Sequence, residues 1–170
     1  FQESYSVLDK NLLLVDIGGT NIRYAYSNIG DSGFVSENKA ELDSLNDFDN
    51  LMSQLLAESD VKNIVFSVAG PKVNNSIKMT NRNFEIDADE IREKFNLESC
   101  YLLNDWESIG YSIRTFSEND FDNFREGEPF NDTFLVIGPG TGLGASVISG
   151  NNVIATCLLY TSDAADDDTR

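Results

Sequence analysis

LLLVDIGGTNIR, residues 12–23, is the stretch that decides the fold of this chain. Its first four residues, Leu12 to Val15, are apolar without a break, which is typical of a central strand buried on both faces. Gly18 and Gly19 then form a turn, and beyond it apolar and polar side chains alternate with a period of two. The sequence therefore predicts a β-hairpin with a glycine tip, and not a strand followed by a helix.

This hairpin excludes two common phosphate-binding loops and leaves a third. A Walker loop and a dinucleotide-binding fingerprint each need a helix directly after the glycines. A glycine turn can still bind an anion through successive backbone N–H groups, here with the Thr20 hydroxyl as an additional donor. Because Asp16 would repel bare phosphate, its place before the turn suggests a hydrated Mg²⁺ between carboxylate and phosphate. The alternative is that Asp16, Gly18 and Gly19 simply form a hairpin turn.

Composition and charge narrow the class of protein. The 170 residues are 41% apolar, which predicts one domain or a little more with enough material for a core. The net charge of −17 argues against nucleic-acid binding, which needs clustered Lys and Arg, whereas a nucleotide can still bind through Mg²⁺ and backbone N–H groups. No apolar stretch approaches the roughly 20 residues of a membrane span. The first residues lack a secretory pattern, so the expected location is the cytoplasm.

The chain has no His and two Cys, Cys100 and Cys157. The absence of His removes Ser-His-Asp, Cys-His and H-E-x-x-H chemistry from the given residues. Two Cys cannot form a four-thiolate zinc site, and their wide separation does not form a redox C-x-x-C motif. Proton transfer at neutral pH would therefore rest on a carboxylate, Lys, Tyr, Cys or water.

Beyond the first hairpin, the pattern predicts alternating helices and strands. A helix between two apolar strands indicates a crossover between parallel neighbours. The predicted elements are a strand over 34–40, an amphipathic helix over 45–58 capped by Asp43 or Ser44, a strand over 63–69, a strand over 73–79, a polar loop over 80–84, a helix over 88–95 capped by Asp87, a short strand over 101–103 and a helical segment over 106–114.

Asn104 and Asp105 follow the short strand over 101–103. Ligands of open α/β sheets collect at the carboxyl ends of the strands, and Asp16 also lies at a strand end. Asp105 and Asp16 are therefore candidates for one site. The alternative is that Asp105 only caps the helix that follows.

A second glycine-rich segment, GPGTGLG at 138–144, follows an apolar strand over 133–137. Residues 140–145 fit the relaxed dinucleotide pattern G-x-G-x-x-A, which makes an NAD-binding domain one alternative. However, 145–149 is short and β-branched, and 153–156 returns as a strand after a turn at 150–152. The sequence therefore predicts a second hairpin with a glycine-rich tip.

Together these stretches resemble the N-terminal half of the bacterial hexokinase-type glucokinases, in the actin, Hsp70 and sugar-kinase superfamily. The resemblance covers about residues 11–156 and implies an α/β fold of two ribonuclease H-like, actin-type ATPase domains with mixed sheets, around a cleft that binds ATP and glucose. Phe84 and Trp106 stand where the family often has Trp and Phe. The matching stretches are VDIGGTNIR at 15–23, SVAGP at 67–71, MTN at 79–81, LND at 103–105 and GPGTGLG at 138–144.

The resemblance also implies roles for individual residues. Asp105 would be the general base that takes the proton from the sugar 6-hydroxyl, and Asp16 would hold Mg²⁺ through water. The implied cofactor is ATP with Mg²⁺, and the implied partners are glucose or a related hexose and, for the full-length protein, a second copy in a homodimer. The implied ATP-binding residues are Asp16, Ile17, Gly18, Gly19, Thr20, Gly140, Thr141 and Gly142, and the implied sugar-binding residues are Thr80, Asn81, Asn104 and Asp105.

The predicted organisation is a truncated kinase. From Cys157 the chain resembles the translation of a transposase-type sequencing adapter, with a natural acidic tail as the alternative. We expect the 170-residue chain to be inactive on its own. A kinase-like sugar-sensing repressor is a further alternative; its helix-turn-helix would precede the first glycine turn, and the 11 residues before Leu12 leave open that an upstream domain has been lost. The forms GPGTGLG and MTN favour the glucokinase branch. The predicted segments are an extension at 1–10, a small domain at 11–115, a connection at 116–132, the first strands of a large domain at 133–156 and the adapter-like segment at 157–170.

Overall fold

The computed structural model describes residues 9–18, 21–41, 44–79, 85–125, 127–128, 130–139 and 143–158. The chain divides into two compact units, Phe1–Asp105 and Trp106–Arg170, and each is treated separately below. The described elements of the first unit are β1 (Leu12–Ile17), β2 (Asn21–Ser27), β3 (Val35–Glu41), α1 (Leu45–Ala57), β4 (Asn63–Val68), β5 (Lys72–Val73), β6 (Ser76–Lys78), β7 (Glu85–Asp87), α2 (Ala88–Lys94) and β8 (Ser99–Asn104).

A five-stranded mixed sheet forms the centre of the first unit, in the order β3-β2-β1-β4-β8. β1 and β2 form the predicted antiparallel hairpin, with Asp16 opposite Arg23 and Ile17 opposite Ile22. β4 pairs in parallel with both β1 and β8, so the predicted crossover between parallel strands is confirmed. The mixed α/β fold class is confirmed as well.

The core of the first unit lies on one face of this sheet, beneath α1 and α2. Alternation along β1 buries Leu13, Val15 and Ile17, as the period of two requires. Phe48 of α1 packs against Phe66 of β4 with ring centroids 5.9 Å apart. Other members of this core are Met52, Leu55, Ile64, Val68, Ile77, Ile86, Ile91 and Leu102.

Both predicted helices of this unit are confirmed, and each begins at a capping side chain. The Ser44 hydroxyl accepts a hydrogen bond from the Asp47 N–H at 3.2 Å at the start of α1. The Asp87 carboxylate accepts from the N–H groups of Asp89 and Glu90 at the start of α2. These caps satisfy backbone donors that have no partner within the helix.

The predicted single strand over 73–79 is wrong, because a tight turn divides it. β5 and β6 form a hairpin around Asn74, whose φ of 56° lies in the left-handed region that Asn tolerates. β7 joins this hairpin to make a three-stranded sheet in the order β5-β6-β7. The sequence analysis missed β7, since its single buried apolar residue, Ile86, shows no period.

The second unit contains α3 (Asp105–Ser112, beginning on the last residue of the first unit), two short 3₁₀ turns, and the strands β9 (Thr133–Pro139), β10 (Leu143–Ser149) and β11 (Asn152–Leu158). The strands form an antiparallel sheet in the order β11-β10-β9. The predicted second hairpin is therefore confirmed. Because residues 143–149 are a strand, the helix that a dinucleotide-binding fingerprint needs does not follow the glycines.

Two predicted boundaries differ from these elements. The predicted first domain runs to residue 115, whereas the compact units divide after Asp105, because α3 packs on the sheet of the second unit. β11 continues through Cys157 and Leu158, which pair with Gly144 and Leu143, two residues into the predicted adapter-like segment. The domain limits of the whole protein stay a prediction. Within the described ranges, no helix has the length and apolar character to cross a membrane.

Candidate active site

The carboxyl ends of three parallel strands lie side by side in the first unit. Ile17 at the end of β1 is in register with Val68 at the end of β4, and Val68 is in register with Asn104 at the end of β8. Because adjacent strands are about 4.8 Å apart, the Cα atoms of Ile17 and Asn104 are separated by roughly 10 Å. The two candidate groups, one around Asp16 and one around Asp105, are thus brought to the same edge of the sheet, as predicted from their places at strand ends.

The Asn104 side chain is fixed by the chain that leaves β4. Its Nδ2 donates a hydrogen bond to the Gly70 carbonyl oxygen at 2.8 Å. Gly70 has a φ of +154°, and a Cβ there would lie 2.8 Å from the Lys78 carbonyl oxygen and 2.9 Å from Ile77 Cγ2. Only glycine fits this position without displacing β6. Gly70 therefore supplies one hydrogen-bond acceptor for the Asn104 side chain, and no predicted site contained Gly70.

A signal for Gly70 was present in the sequence. Gly70-Pro71 ends an apolar strand and lies within one of the five stretches that carry the family resemblance. Gly70 directly follows the predicted strand over 63–69, and the structure gives its carbonyl a role as the acceptor for Asn104. Spacing alone could not reveal this hydrogen bond, because 34 residues separate the two partners.

Asp105 is the first residue of α3 and follows directly on β8. Its carboxylate therefore lies in the first turn of a helix, where the helix dipole favours negative charge. Placement on a strand end also holds its backbone more rigidly than a loop would. The structure is compatible with both sequence interpretations of Asp105, the general base and the residue that stabilises the helix start.

Asp16 is half-exposed and lies on the face of β1 opposite the core. Its Oδ2 is 3.6 Å from Arg23 Nη1, with the Arg23 side chain 61% exposed. An ion pair this exposed contributes at most about 1 kcal/mol. The sequence analysis missed Arg23, although the period-two hairpin places it directly opposite Asp16. The Asp16 carboxylate thus has a neighbouring cation without any bound metal.

The first glycine turn is already closed by a backbone hydrogen bond. The Gly18 N–H donates to the Asn21 carbonyl oxygen at 2.9 Å. The Gly18 N–H is therefore engaged within the turn. Gly19 and Thr20, the next two predicted phosphate-binding residues, lie outside the described residues.

Several predicted site residues lie outside the part of the chain that the structure describes. The flanks of the second tip are described, since Pro139 pairs with Leu143 across it. This pairing leaves three residues for the tip, and the tip belongs to the second unit. The undescribed site residues are Gly19, Thr20, Thr80, Asn81, Gly140, Thr141 and Gly142.

The described residues fit a water-mediated Mg²⁺ better than a directly ligated one. Over the described ranges, no group of three or more His, Cys, Asp or Glu residues could hold a metal ion. Mg²⁺ usually keeps several waters and binds one or two carboxylates together with substrate phosphates. The single half-exposed carboxylate of Asp16 is suited to such an outer contact.

Comparisons with known proteins agree with this geometry. A profile of the glucokinase family matches residues 13–158. A glucokinase of Nostoc punctiforme is 31% identical over 150 residues, which cover 83% of this chain and 44% of that protein. The chain thus spans less than half of the length of this curated relative.

Two solved structures share the fold. The glucokinase of Balamuthia mandrillaris, in complex with glucose, superposes with a TM-score of 0.67 at 21% identity, over 86% of this chain and 47% of its own. A ROK family glucokinase from Streptomyces griseus, in complex with glucose and AMPPNP, gives a TM-score of 0.62 at 20% identity, over 84% and 46%. At these identities the likeness shows the fold alone.

Proposed function

Since this chain belongs to the glucokinase family, we propose that the protein it forms part of transfers the γ-phosphoryl group of ATP to the 6-hydroxyl of glucose. Asp105 acts as the general base, and Asn104 and Asp105 hold the sugar. The observation that carries this proposal is the alignment of the ends of β1, β4 and β8, which brings Asp16, Asn104 and Asp105 to one edge of one sheet.

Phosphoryl transfer depends on positioning and charge neutralisation more than on covalent chemistry, so a site without His is sufficient. Asp105 must approach within about 3 Å of the sugar hydroxyl to accept its proton. The hydrogen bond from Asn104 to the Gly70 carbonyl supports this role, because it fixes the residue next to the base. The base and its neighbour are therefore held by the core of the first unit.

ATP with Mg²⁺ supplies the phosphoryl group and the cation that neutralises it. On this chain, Asp16 would contact the hydrated cation, and the backbone at Ile17, Gly18, Gly19 and Thr20 would contact phosphate together with Gly140, Thr141 and Gly142. Thr80 and Asn81 would line the sugar pocket. Arg23, beside Asp16, would hold the carboxylate in place when no nucleotide is bound.

We also propose that the full-length enzyme works in the cytoplasm as the entry step of glycolysis and forms a homodimer. The 170-residue chain alone would not catalyse the reaction. A coupled assay on this polypeptide, with glucose and ATP, tests the last point, and glucose-dependent ADP release would contradict it.

Asp105→Asn in the full-length enzyme is the test of the proposed function. We expect kcat to fall by about 10²–10⁴-fold, the usual contribution of a general base, with glucose binding retained in calorimetry because the amide keeps the shape and hydrogen-bonding groups of the carboxylate. Asp122→Asn, an exposed carboxylate in the connection, is the matched control and should leave kcat unchanged. Wild-type turnover by Asp105→Asn would overturn the assignment of the base.

A further inference from the structure

The Trp106 side chain packs on bare backbone at the base of the second glycine-rich tip. Gly138 and Gly144 are opposite one another on β9 and β10 and flank this tip. A Cβ added to Gly138 would overlap the six-membered ring of Trp106, and a Cβ added to Gly144 would overlap the indole around Nε1. Any other residue at these two positions would displace the indole.

A third glycine, Gly110, extends this contact one turn further along α3. Gly110 is buried on α3, and a Cβ there would lie 2.5 Å from Val153 Cγ1 and 2.9 Å from Ser146 Oγ. Residues four apart lie on one face of a helix, so Trp106 and Gly110 form one contact surface. Through it, α3 lies close against the sheet of the second unit.

These contacts divide the glycines of GPGTGLG into two kinds. Gly140 and Gly142 lie outside the described residues, and the family resemblance assigns them to phosphate binding. Gly138 and Gly144 are paired strand residues, and the observed reason for their lack of a side chain is the indole of Trp106. The pattern GPGTGLG alone suggests that all four glycines serve phosphate binding. Two of them, Gly138 and Gly144, instead make room for the indole of Trp106.

We propose that Trp106 is a positioning residue of the kinase. It seats α3 on Gly138 and Gly144 of the β9–β10 hairpin, and Asp105 is the residue that directly precedes Trp106 in the chain. This inference rests on the proposed function and adds to it a residue that needs no contact with glucose or ATP. Loss of the indole would lower turnover by misplacing α3, and with it the adjacent base, without removing a ligand contact.

The contact itself is tested on the 170-residue chain, in which Trp106 is the single tryptophan. We expect Gly138→Ala and Gly144→Ala to shift its fluorescence emission to the red and to increase quenching by acrylamide, because the indole is displaced from the sheet. Gly127→Ala is the matched control, since a Cβ there meets nothing within 4 Å. Unchanged emission in both of the first two variants would overturn the contact.

The positioning role is tested in the full-length enzyme with Trp106→Ala and Trp106→Phe. We expect Trp106→Ala to lower kcat by about 10–100-fold with the KM for glucose within about twofold, the pattern of a lost transition-state interaction. Trp106→Phe should recover most of kcat, because a planar ring still covers the two glycines. A melting curve for each variant shows that it is folded.

The outcomes separate this inference from the proposed function. If the wild-type enzyme phosphorylates glucose and folded Trp106→Ala has the same kcat, the positioning role is wrong and the proposed function stands. The positioning role is also wrong if Trp106→Phe fails as badly as Trp106→Ala. If the wild-type enzyme does not phosphorylate glucose, the proposed function and this inference fail together.

Discussion

The two units of this chain differ in how completely their sheets are covered. In the first unit, α1 and α2 cover one face of the five-stranded sheet and bury a large apolar cluster around Phe48 and Phe66. In the second unit, α3 contacts the three-stranded sheet through residues as small as Gly110. The buried residues described there are Gly110, Ala145, Ser146 and Ile148.

The opposite face of the second sheet is apolar and largely open, although Ala145 on it is buried. Leu135, Ile137 and Ile154 are 60%, 53% and 58% exposed. Their register pairs them with Val147 and Ala145, which point to the face opposite that of Gly144 and Ser146. Because burial of apolar area is the main favourable term in folding, we expect the first unit to hold most of the stability of this chain. Asn104 and Asp105 are therefore on the stable unit, while the second glycine-rich tip is on the weaker one.

Replacing a buried aromatic residue gives the largest expected contrast between the units. Phe66→Ala removes a fully buried ring from β4 and should lower the free energy of unfolding by about 3–5 kcal/mol. Leu135→Ala, on the open face of β9, should change it by less than about 0.5 kcal/mol. Urea titrations followed by circular dichroism measure both. Equal losses for the two variants would contradict the comparison.

The buried Cys100 thiol in the core of the first unit predicts that the stability of the folded state depends on pH. Burial is the main cause that raises the pKa of Cys100 to about 12. The Asp89 carboxylate raises this pKa further, and the Arg92 guanidinium opposes the shift. The folded state thus favours the neutral thiol. This contribution to stability is complete below the unfolded pKa of about 9 and is lost as the pH rises towards 12.

Melting curves at pH 7 and pH 10.5 test this dependence in a Cys157→Ser background. We expect the melting temperature of the protein with Cys100 to fall further between the two pH values than that of Cys100→Ala. All other ionisable groups are the same in both proteins, so the difference isolates the thiol. An identical fall in both would count against a buried neutral Cys100.

Two native probes report the units separately. Trp106 reports the second unit by fluorescence, and in the Cys157→Ser background Cys100 reports the first by its protection from a thiol reagent. We expect the fluorescence transition in urea to precede the exposure of Cys100, by about 0.5 M or more, since the second unit buries less apolar area. Coincident transitions would show instead that the chain unfolds as one cooperative unit.

Sequence patterns predicted an element correctly where the periodicity of its side chains or a single capping residue determines its structure. The alternation after Gly19 predicted β2, and the caps Ser44 and Asp87 predicted the starts of α1 and α2. The first glycine-tipped hairpin could be predicted from this alternation, and the second because residues 145–149 are a short, β-branched stretch and 153–156 returns as a strand. The left-handed Asn74 and the isolated Ile86 gave no such signal, and the strands around them were missed.

Contacts between distant parts of the chain were the part of the candidate site that could not be predicted. The strand ends indicated that Asp16 and Asp105 share one edge, because parallel strands end together. The bond from Asn104 to Gly70 and the contact of Trp106 with Gly138 depend on how separate elements pack. No periodicity within one element encodes such pairs.

The smallest expected effect concerns one atom beneath α3. Ser146 Oγ is buried, and among the described residues it has no hydrogen-bond partner. A buried hydroxyl without a partner carries a desolvation cost of about 1–3 kcal/mol, so its removal is neutral or stabilising. We expect Ser146→Ala to raise the stability of the second unit by up to about 1 kcal/mol in the fluorescence transition of Trp106.

Ser149→Ala is the matched control on the same strand. Its hydroxyl lies 3.3 Å from Thr133 Oγ1, so the same change should leave stability the same or slightly lower. If Ser146→Ala stabilises the second unit and Ser149→Ala does not, then both the contact beneath α3 and the open apolar face limit the stability of the second unit. A loss of stability in Ser146→Ala would mean that this hydroxyl is satisfied in solution, and the open apolar face alone would then account for the difference between the units.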